Sequence, residues 1–197
     1  MAMTIPTAFR HFWLATCTQL VIGACLEDPP PRAGSVAAAA LRQDTLAPFA
    51  GTMGPVLRLR AGPPGSPVPR LRAARATRET GFDRLVFEFS SDSVPGYEVA
   101  YAGGPPVRCG SGDAVSLAGA GFLVVRFEPA QAHDEEGRST VAVRKWAPEL
   151  RVVKELELVC DFEGQVEWGV GLATSRRFRV LESAAPARVI VDVRHHD

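Results

Sequence analysis

The sequence predicts an all-β fold, a β-sandwich or partly open barrel of short strands, preceded by a signal peptide and a flexible linker. Large apolar residues recur at every second position in several short runs, which is typical of half-buried strands. Glycine, proline or charged clusters separate these runs at short intervals, as in sandwiches and barrels. About 125 residues carry the pattern, which is long enough to bury a core.

The alternation is clearest in three runs, at residues 85–89, 123–127 and 189–193. In each run, apolar side chains that point one way predict a buried face. Further strands are expected at 97–101, 152–159, 166–172 and 178–181.

The chain begins with a candidate lipoprotein signal peptide. Arg10 precedes a mainly apolar run that ends in Gly23 and Ala24, directly before Cys25. Two small residues before a cysteine are typical of a lipoprotein cleavage site. We therefore expect residues 1–24 to be removed and Cys25 to be lipidated, leaving an extracytoplasmic protein anchored to the bacterial cell membrane or outer membrane. An ordinary secretory cleavage site and a misassigned start are the alternatives.

Residues 25–69 are rich in Ala, Pro, Gly and Arg. Such a segment lacks the spaced large apolar residues that would offset the entropy lost on ordering, so it is interpreted as a linker. A short helix at 35–46 and a short strand at 55–59 are the local structures it could form. The β domain is expected to span residues 70–195.

Charge excludes one class of partner. The chain has 22 basic and 22 acidic residues, whereas a nucleic-acid-binding protein normally shows a clear basic excess. We expect a monomer that binds no nucleic acid, no metal and no cofactor.

Catalytic patterns are weak. Ser111 lacks the Gly-x-Ser-x-Gly spacing of a nucleophile elbow. His195 and His196 lie at the C-terminus, where chains fray. Asp161 and Glu163 could form a carboxylate pair for an envelope hydrolase, but capping and ion pairing in a turn are the more ordinary roles for them. The protein is therefore interpreted as a non-enzyme.

Five segments occur in a characteristic order: GFDRLVFEF (81–89), PGYEV (95–99), GSG (110–112), DFEG (161–164) and PARVIVDV (186–193). Together they resemble the AMIN-like domain of bacterial lipoproteins, over about residues 71–194. Related AMIN domains are β-sandwiches that target amidases and secretins to peptidoglycan or the division site. The resemblance implies a non-catalytic module of the cell envelope.

Cys109 and Cys160 depart from the family pattern, and they are the cysteines left besides Cys25 once the signal is removed. An oxidising compartment favours a disulfide between them, and two cysteines are too few for a closed zinc site. Two buried free thiols are the alternative. By alternation, Cys160 is expected to share a face with Leu156 and Leu158.

Aromatic residues beside charges suggest a binding face for peptidoglycan. The candidates are Tyr97 and Tyr101, in one strand phase, Trp146 in a loop beside Arg144, and the acidic pair Asp161 and Glu163. A core position is the more ordinary role for each of these rings taken singly, and Trp168, which alternates with two valines, is expected in the core.

Two functional hypotheses follow. The first is a non-catalytic, membrane-anchored envelope module that binds or localises to the cell wall or to an envelope protein. The second is a carrier that encloses a small apolar ligand between its sheets.

Overall fold

A computed structural model of the chain describes residues 49–60 and 65–196. The expected signal peptide, the lipidation site at Cys25 and the expected helix at 35–46 lie outside these described residues. No helix long and apolar enough to cross a membrane occurs in the described part of the chain.

The described residues form two antiparallel sheets that do not close into a barrel. The six-stranded sheet contains, in spatial order, β1 (Val56–Arg58), β4 (Tyr97–Ala102), β5 (Gly121–Phe127), β8 (Gln165–Leu172), β7 (Val153–Phe162) and β6 (Lys145–Trp146). The four-stranded sheet contains β2 (Leu71–Arg78), β3 (Phe82–Phe89), β10 (Arg188–Arg194) and β9 (Phe178–Ser183). The all-β sandwich prediction is confirmed.

The core lies between the two sheets and is built by the alternating residues. The inward side chains of β3, β5 and β10 are fully buried: Leu85, Phe87, Phe89, Leu123, Val125, Phe127, Val189, Val191 and Val193. Phe87 joins the sheets at the centre, with its ring 5.1 Å from that of Phe127 and 6.0 Å from that of Trp168. Trp168 is itself 0% exposed, as expected.

Residues 49–60, within the segment expected to be a linker, pack against both sheets. β1 pairs with β4 at the edge of the six-stranded sheet, and Thr52 pairs with Phe178 of β9 in the four-stranded sheet. The ring of Phe49 holds the guanidinium of Arg179 at 4.9 Å. This part of the chain therefore belongs to the folded body.

Two local expectations were wrong. Trp146 lies on the two-residue strand β6 and not in a loop, because it pairs with Leu156 and its ring packs edge-on against Trp168 at 5.7 Å. Cys160 does not share a face with Leu156 and Leu158. The register of β7 shifts between Leu158 and Cys160, and such a bulge moves the following side chains to the opposite face of a sheet.

Candidate functional site on the outer face of the six-stranded sheet

The outer face of the six-stranded sheet is arranged in rows that run across the strands. In one row, the register aligns Leu57, Glu98, Arg126, Glu167 and Cys160. In the next row it aligns Ala100, Val124, Gly169, Glu157 and Lys145. These residues alternate with the core residues and so point away from the sandwich interior.

Residues 103–120, which connect β4 to β5, fold back over part of this face, and we call them the strap. The strap packs on two glycines of β8. A Cβ atom on Gly169 would lie 2.6 Å from Pro106 Cγ, and one on Gly171 would lie 2.1 Å from the carbonyl oxygen of Ala118. Both positions must lack a side chain because the strap approaches so closely.

The strap is held by a disulfide and by ion pairs between side chains. Cys109 and Cys160 are bonded to each other, which confirms the predicted pair. Arg108 on the strap donates to the nearly buried carboxylate of Glu157, whose other oxygen lies 2.8 Å from Lys145 Nζ. Burial raises the pKa of Glu157, but the hydrogen bonds and charges of Lys145 and Arg108 outweigh it and lower that pKa below its ordinary value.

A small second core also joins the strap to the sheet. It consists of Val115, Leu117 and Val159, with Phe122 packed against them. The strap thus covers the outer side of β7 and β8 and the start of β5 at Phe122, and leaves the rest of β4 and β5 open.

The open part of this face is a groove along β4 and β5. It comprises two depressions, of about 480 Å³ and 330 Å³, that share Glu98 and Arg126. We define the outer groove by the residues that line the two depressions: Leu57, Arg58, Leu59, Arg60, Tyr97, Glu98, Ala100, Tyr101, Ala102, Pro105, Pro106, Val107, Val124, Arg126, Glu128, Pro129 and Glu167.

The centre of the outer groove is a ladder of alternating charge. Arg126 Nη1 lies 3.2 Å from Glu98 Oε2, and Arg126 Nε lies 2.9 Å from Glu167 Oε2. The guanidinium and the Glu98 carboxylate both keep about two-fifths of their surface exposed, whereas Glu167 is nearly buried. The exposed charges can therefore exchange partners with a ligand.

Gly96 shapes one end of the groove. A Cβ atom there would lie 2.3 Å from the carbonyl oxygen of Glu128 and 3.0 Å from the amide nitrogen of Arg60. Three backbone segments meet at this point, and a side chain at residue 96 would separate β1 from β4.

The predicted aromatic candidates of β4 are turned toward the interior. Tyr97 is buried, and its hydroxyl donates to Glu182 Oε1 of the other sheet at 2.8 Å. Burial, with the nearby Glu182 carboxylate, raises the pKa of Tyr97 above its ordinary value. Tyr101 is half-buried, packs at 5.8 Å on Phe178 and donates to the carbonyl of Arg176. Both rings help to join the sheets.

The predicted binding residues Trp146 and Arg144 lie outside the outer groove. Trp146 and the exposed Arg144 belong to the region of β6, at the opposite edge of the sheet from β1. The structure therefore does not bring Trp146 together with Tyr97 and Tyr101.

Asp161 and Glu163 have different surroundings. Oδ1 of Asp161 accepts from the amide of Ala132 at 2.8 Å and lies 2.9 Å from His133 Nδ1. Glu163 is exposed, at φ 51°, in the tight turn that it forms with Gly164 between β7 and β8. Asp161 thus fastens a loop, and Glu163 belongs to a hairpin turn in which positive φ is expected.

Apart from Tyr97 and Tyr101, the residues that line the groove were not singled out from sequence. The available signal was the polar half of the alternation, because Glu98, Arg126 and Glu167 occupy the outward positions of three strands. Only the strand order makes them neighbours. Among the described residues, no group of three or more His, Cys, Asp or Glu side chains is placed to hold a metal ion.

The described residues thus form an antiparallel β-sandwich with an open, charged groove on one face. The chain belongs to the AMIN-like domain family, whose family model matches residues 69–195. Domains of this family are generally non-catalytic binding domains of the cell envelope, associated with peptidoglycan. Comparisons with curated protein sequences and with solved structures gave no match.

Proposed function

We propose that this protein is a non-catalytic module that attaches to peptidoglycan through the outer groove. The observation that carries the proposal is a pair of neighbouring depressions on one open face, which share the charged residues Glu98 and Arg126. A concave site with a few convergent polar groups is the ordinary form of a ligand-binding site.

The chemistry of the groove suits a polymer of the cell wall. Three arginines and three glutamates line it, and Ala100, Ala102 and Val124 supply methyl groups between them. Peptidoglycan carries carboxylates, ammonium groups, amides and the methyl groups of its acetyl and alanyl units. Each of these groups has a complement in the groove.

The packing of the sandwich argues against the carrier hypothesis. A carrier would hold its ligand between the sheets, but the rings of Phe87, Phe127 and Trp168 occupy the centre of that space at 5.1–6.0 Å separations. These side chains are each less than 2% exposed. Protein interiors packed in this way hold few voids larger than a water molecule.

The membrane attachment belongs to the same proposal. Lipidation of Cys25 would tether the domain to the bacterial cell membrane or the outer membrane. Residues 26–48 would then connect the lipid to the domain in the sequence. Mass spectrometry of the purified protein should find an acyl group on Cys25 and no peptide that begins at Met1. An unmodified Cys25 in an intact N-terminal peptide would remove the anchor from the proposal.

Co-sedimentation of the purified full-length protein with isolated sacculi tests the binding function. Ala100 and Ala73 are both half-buried alanines on outer faces, Ala100 in the groove and Ala73 opposite Glu88 on the other sheet. We expect the wild type and Ala73→Trp to sediment with sacculi and Ala100→Trp to remain in the supernatant. Wild-type protein that sediments no more than an unrelated control protein would overturn the proposal and direct the search to an envelope protein partner.

A further inference from the structure

We infer that the outer groove recognises the peptide stems of peptidoglycan and not its glycan strands. The inference rests on the proposed function and concerns the same site. The class of ligand is a short extended peptide that carries both carboxylate and ammonium groups together with methyl side chains.

Charge is the first argument. Glu98, Arg126 and Glu167 alternate in sign across the centre of the groove. A neutral glycan has no charged groups that could pair with these alternating charges. A zwitterionic peptide, in contrast, can place a carboxylate on a guanidinium and an ammonium on a carboxylate. Hydrogen bonds between ionised partners are roughly twice as strong as neutral ones.

Arg126 is the guanidinium best placed to exchange a carboxylate of the protein for a carboxylate of the ligand. It bridges Glu98 and Glu167 at the point that both depressions share. A carboxylate of the ligand can replace the half-exposed Glu98 on Arg126, and Glu98 can then accept from the ligand's ammonium group. The nearly buried Glu167 keeps the guanidinium in position during this exchange.

Shape is the second argument. The floor of the groove is formed by small side chains, Ala100, Ala102 and Val124, which leave room for a chain but fit alanyl methyl groups. The groove follows β4, whose six residues span about 20 Å at roughly 3.3 Å per residue. This length matches an extended peptide of five or six residues.

The glycan alternative has little support in the groove lining. The two aromatic residues in the lining, Tyr97 and Tyr101, have their hydroxyls bound toward the other sheet and their rings packed inward. An exposed ring does occur at Phe162, which is 60% exposed. It lies at the end of β7, outside the lining of both depressions.

The test compares three probes on the purified full-length protein. The first is intact sacculi, the second is glycan strands freed of their peptide stems by an amidase and fixed to beads, since such strands are soluble, and the third is a soluble stem tripeptide used as competitor. We expect co-sedimentation with intact sacculi, no retention on the bead-bound stem-free glycan, and release from sacculi by the tripeptide. Equal retention on stem-free glycan would overturn the inference while leaving the proposed function in place. Absence of retention on intact sacculi would instead overturn the proposed function.

Single substitutions inside and outside the outer groove test whether the groove is the binding site. Arg126→Gln should weaken binding to intact sacculi about tenfold, the loss expected for one charged hydrogen-bonded contact. Arg75→Gln is the matched control, since Arg75 lies 3.2 Å from Glu88 on the outer face of the opposite sheet. Phe162→Ala should bind like the wild type. If Phe162→Ala abolished retention and Arg126→Gln did not, the ring at residue 162 would be the glycan contact and the peptide inference would be wrong.

Discussion

Nε2 of His195 lies 2.7 Å from Oδ1 of Asp83, and both side chains are buried. The other carboxylate oxygen of Asp83 accepts from the backbone amides of Val152 and Val153, at 2.6 Å and 3.0 Å. Asp83 belongs to β3 of one sheet, while Val153 begins β7 in the other sheet and Val152 directly precedes it. A single carboxylate therefore joins the sheets and holds His195.

Removal of this carboxylate should be among the most costly single changes in the domain. Asp83→Ala leaves two buried amides and an imidazole without their acceptor, and we expect a loss of about 3 kcal/mol or more in the free energy of unfolding. Asp83→Asn keeps one acceptor oxygen and should cost less. Urea denaturation measures both variants. Asp92→Ala, at an exposed position, is the control and should stay within about 0.5 kcal/mol of the wild type.

Acid should weaken the attachment of the strap. The pKa of Glu157 is lowered from 4.5 in the folded protein, so the ionised form contributes stability above 4.5 that is lost as the pH falls through the folded value. We expect Glu157→Gln to flatten the decline in unfolding free energy below pH 4.5. Glu163→Gln, in the exposed turn, should retain the wild-type decline. Identical acid profiles for the wild type and Glu157→Gln would contradict the assignment.

Reduction of the Cys109–Cys160 disulfide should destabilise the domain without unfolding the core. The bond closes a loop with a sequence separation of 51 residues, and such a cross-link contributes roughly 2–4 kcal/mol. Urea denaturation with and without reductant gives the difference. The double variant Cys109→Ser, Cys160→Ser is the control, because reductant should leave its stability unchanged.

The glycines beneath the strap can be tested directly. Gly171→Ala places a methyl group 2.1 Å from the Ala118 carbonyl, and overpacking of this kind costs about 1–3 kcal/mol. Gly103→Ala, which meets nothing within 4 Å, should be close to neutral. Limited proteolysis should also cut the strap faster in Gly171→Ala. Equal stability of the two variants would show that the strap is free to shift.

The sequence was most informative where one side of a strand is buried. Burial forces large apolar residues onto alternate positions, so β3, β5 and β10 could be predicted from the alternation alone. Alternation could not reveal the bulge in β7, because one inserted residue changes the facing of Cys160 without changing the composition of the strand. The edge strand β6 was missed for a related reason, since two residues are too few to show a period.

The candidate site could be predicted only in part. The alternation of the strands was a signal that Glu98, Arg126 and Glu167 point outward. Their contact, however, depends on β4, β5 and β8 being neighbours, which is a property of the topology. The aromatic residues were candidates for a binding face because rings beside charges are common in binding sites. In the structure, Tyr97 and Tyr101 are needed to hold the sheets together, and this role competes with display on the surface.

The contacts of residues 49–60 bear on how the domain should be cut for expression. A fragment that starts at residue 69, where the family match begins, would lack β1 and the pairing of Thr52 with Phe178. One edge of each sheet would then be bare, and bare strand edges are templates for pairing between molecules. Such a fragment is expected to self-associate more than one that begins ahead of Phe49, which keeps β1 on β4 and Thr52 on Phe178 of β9.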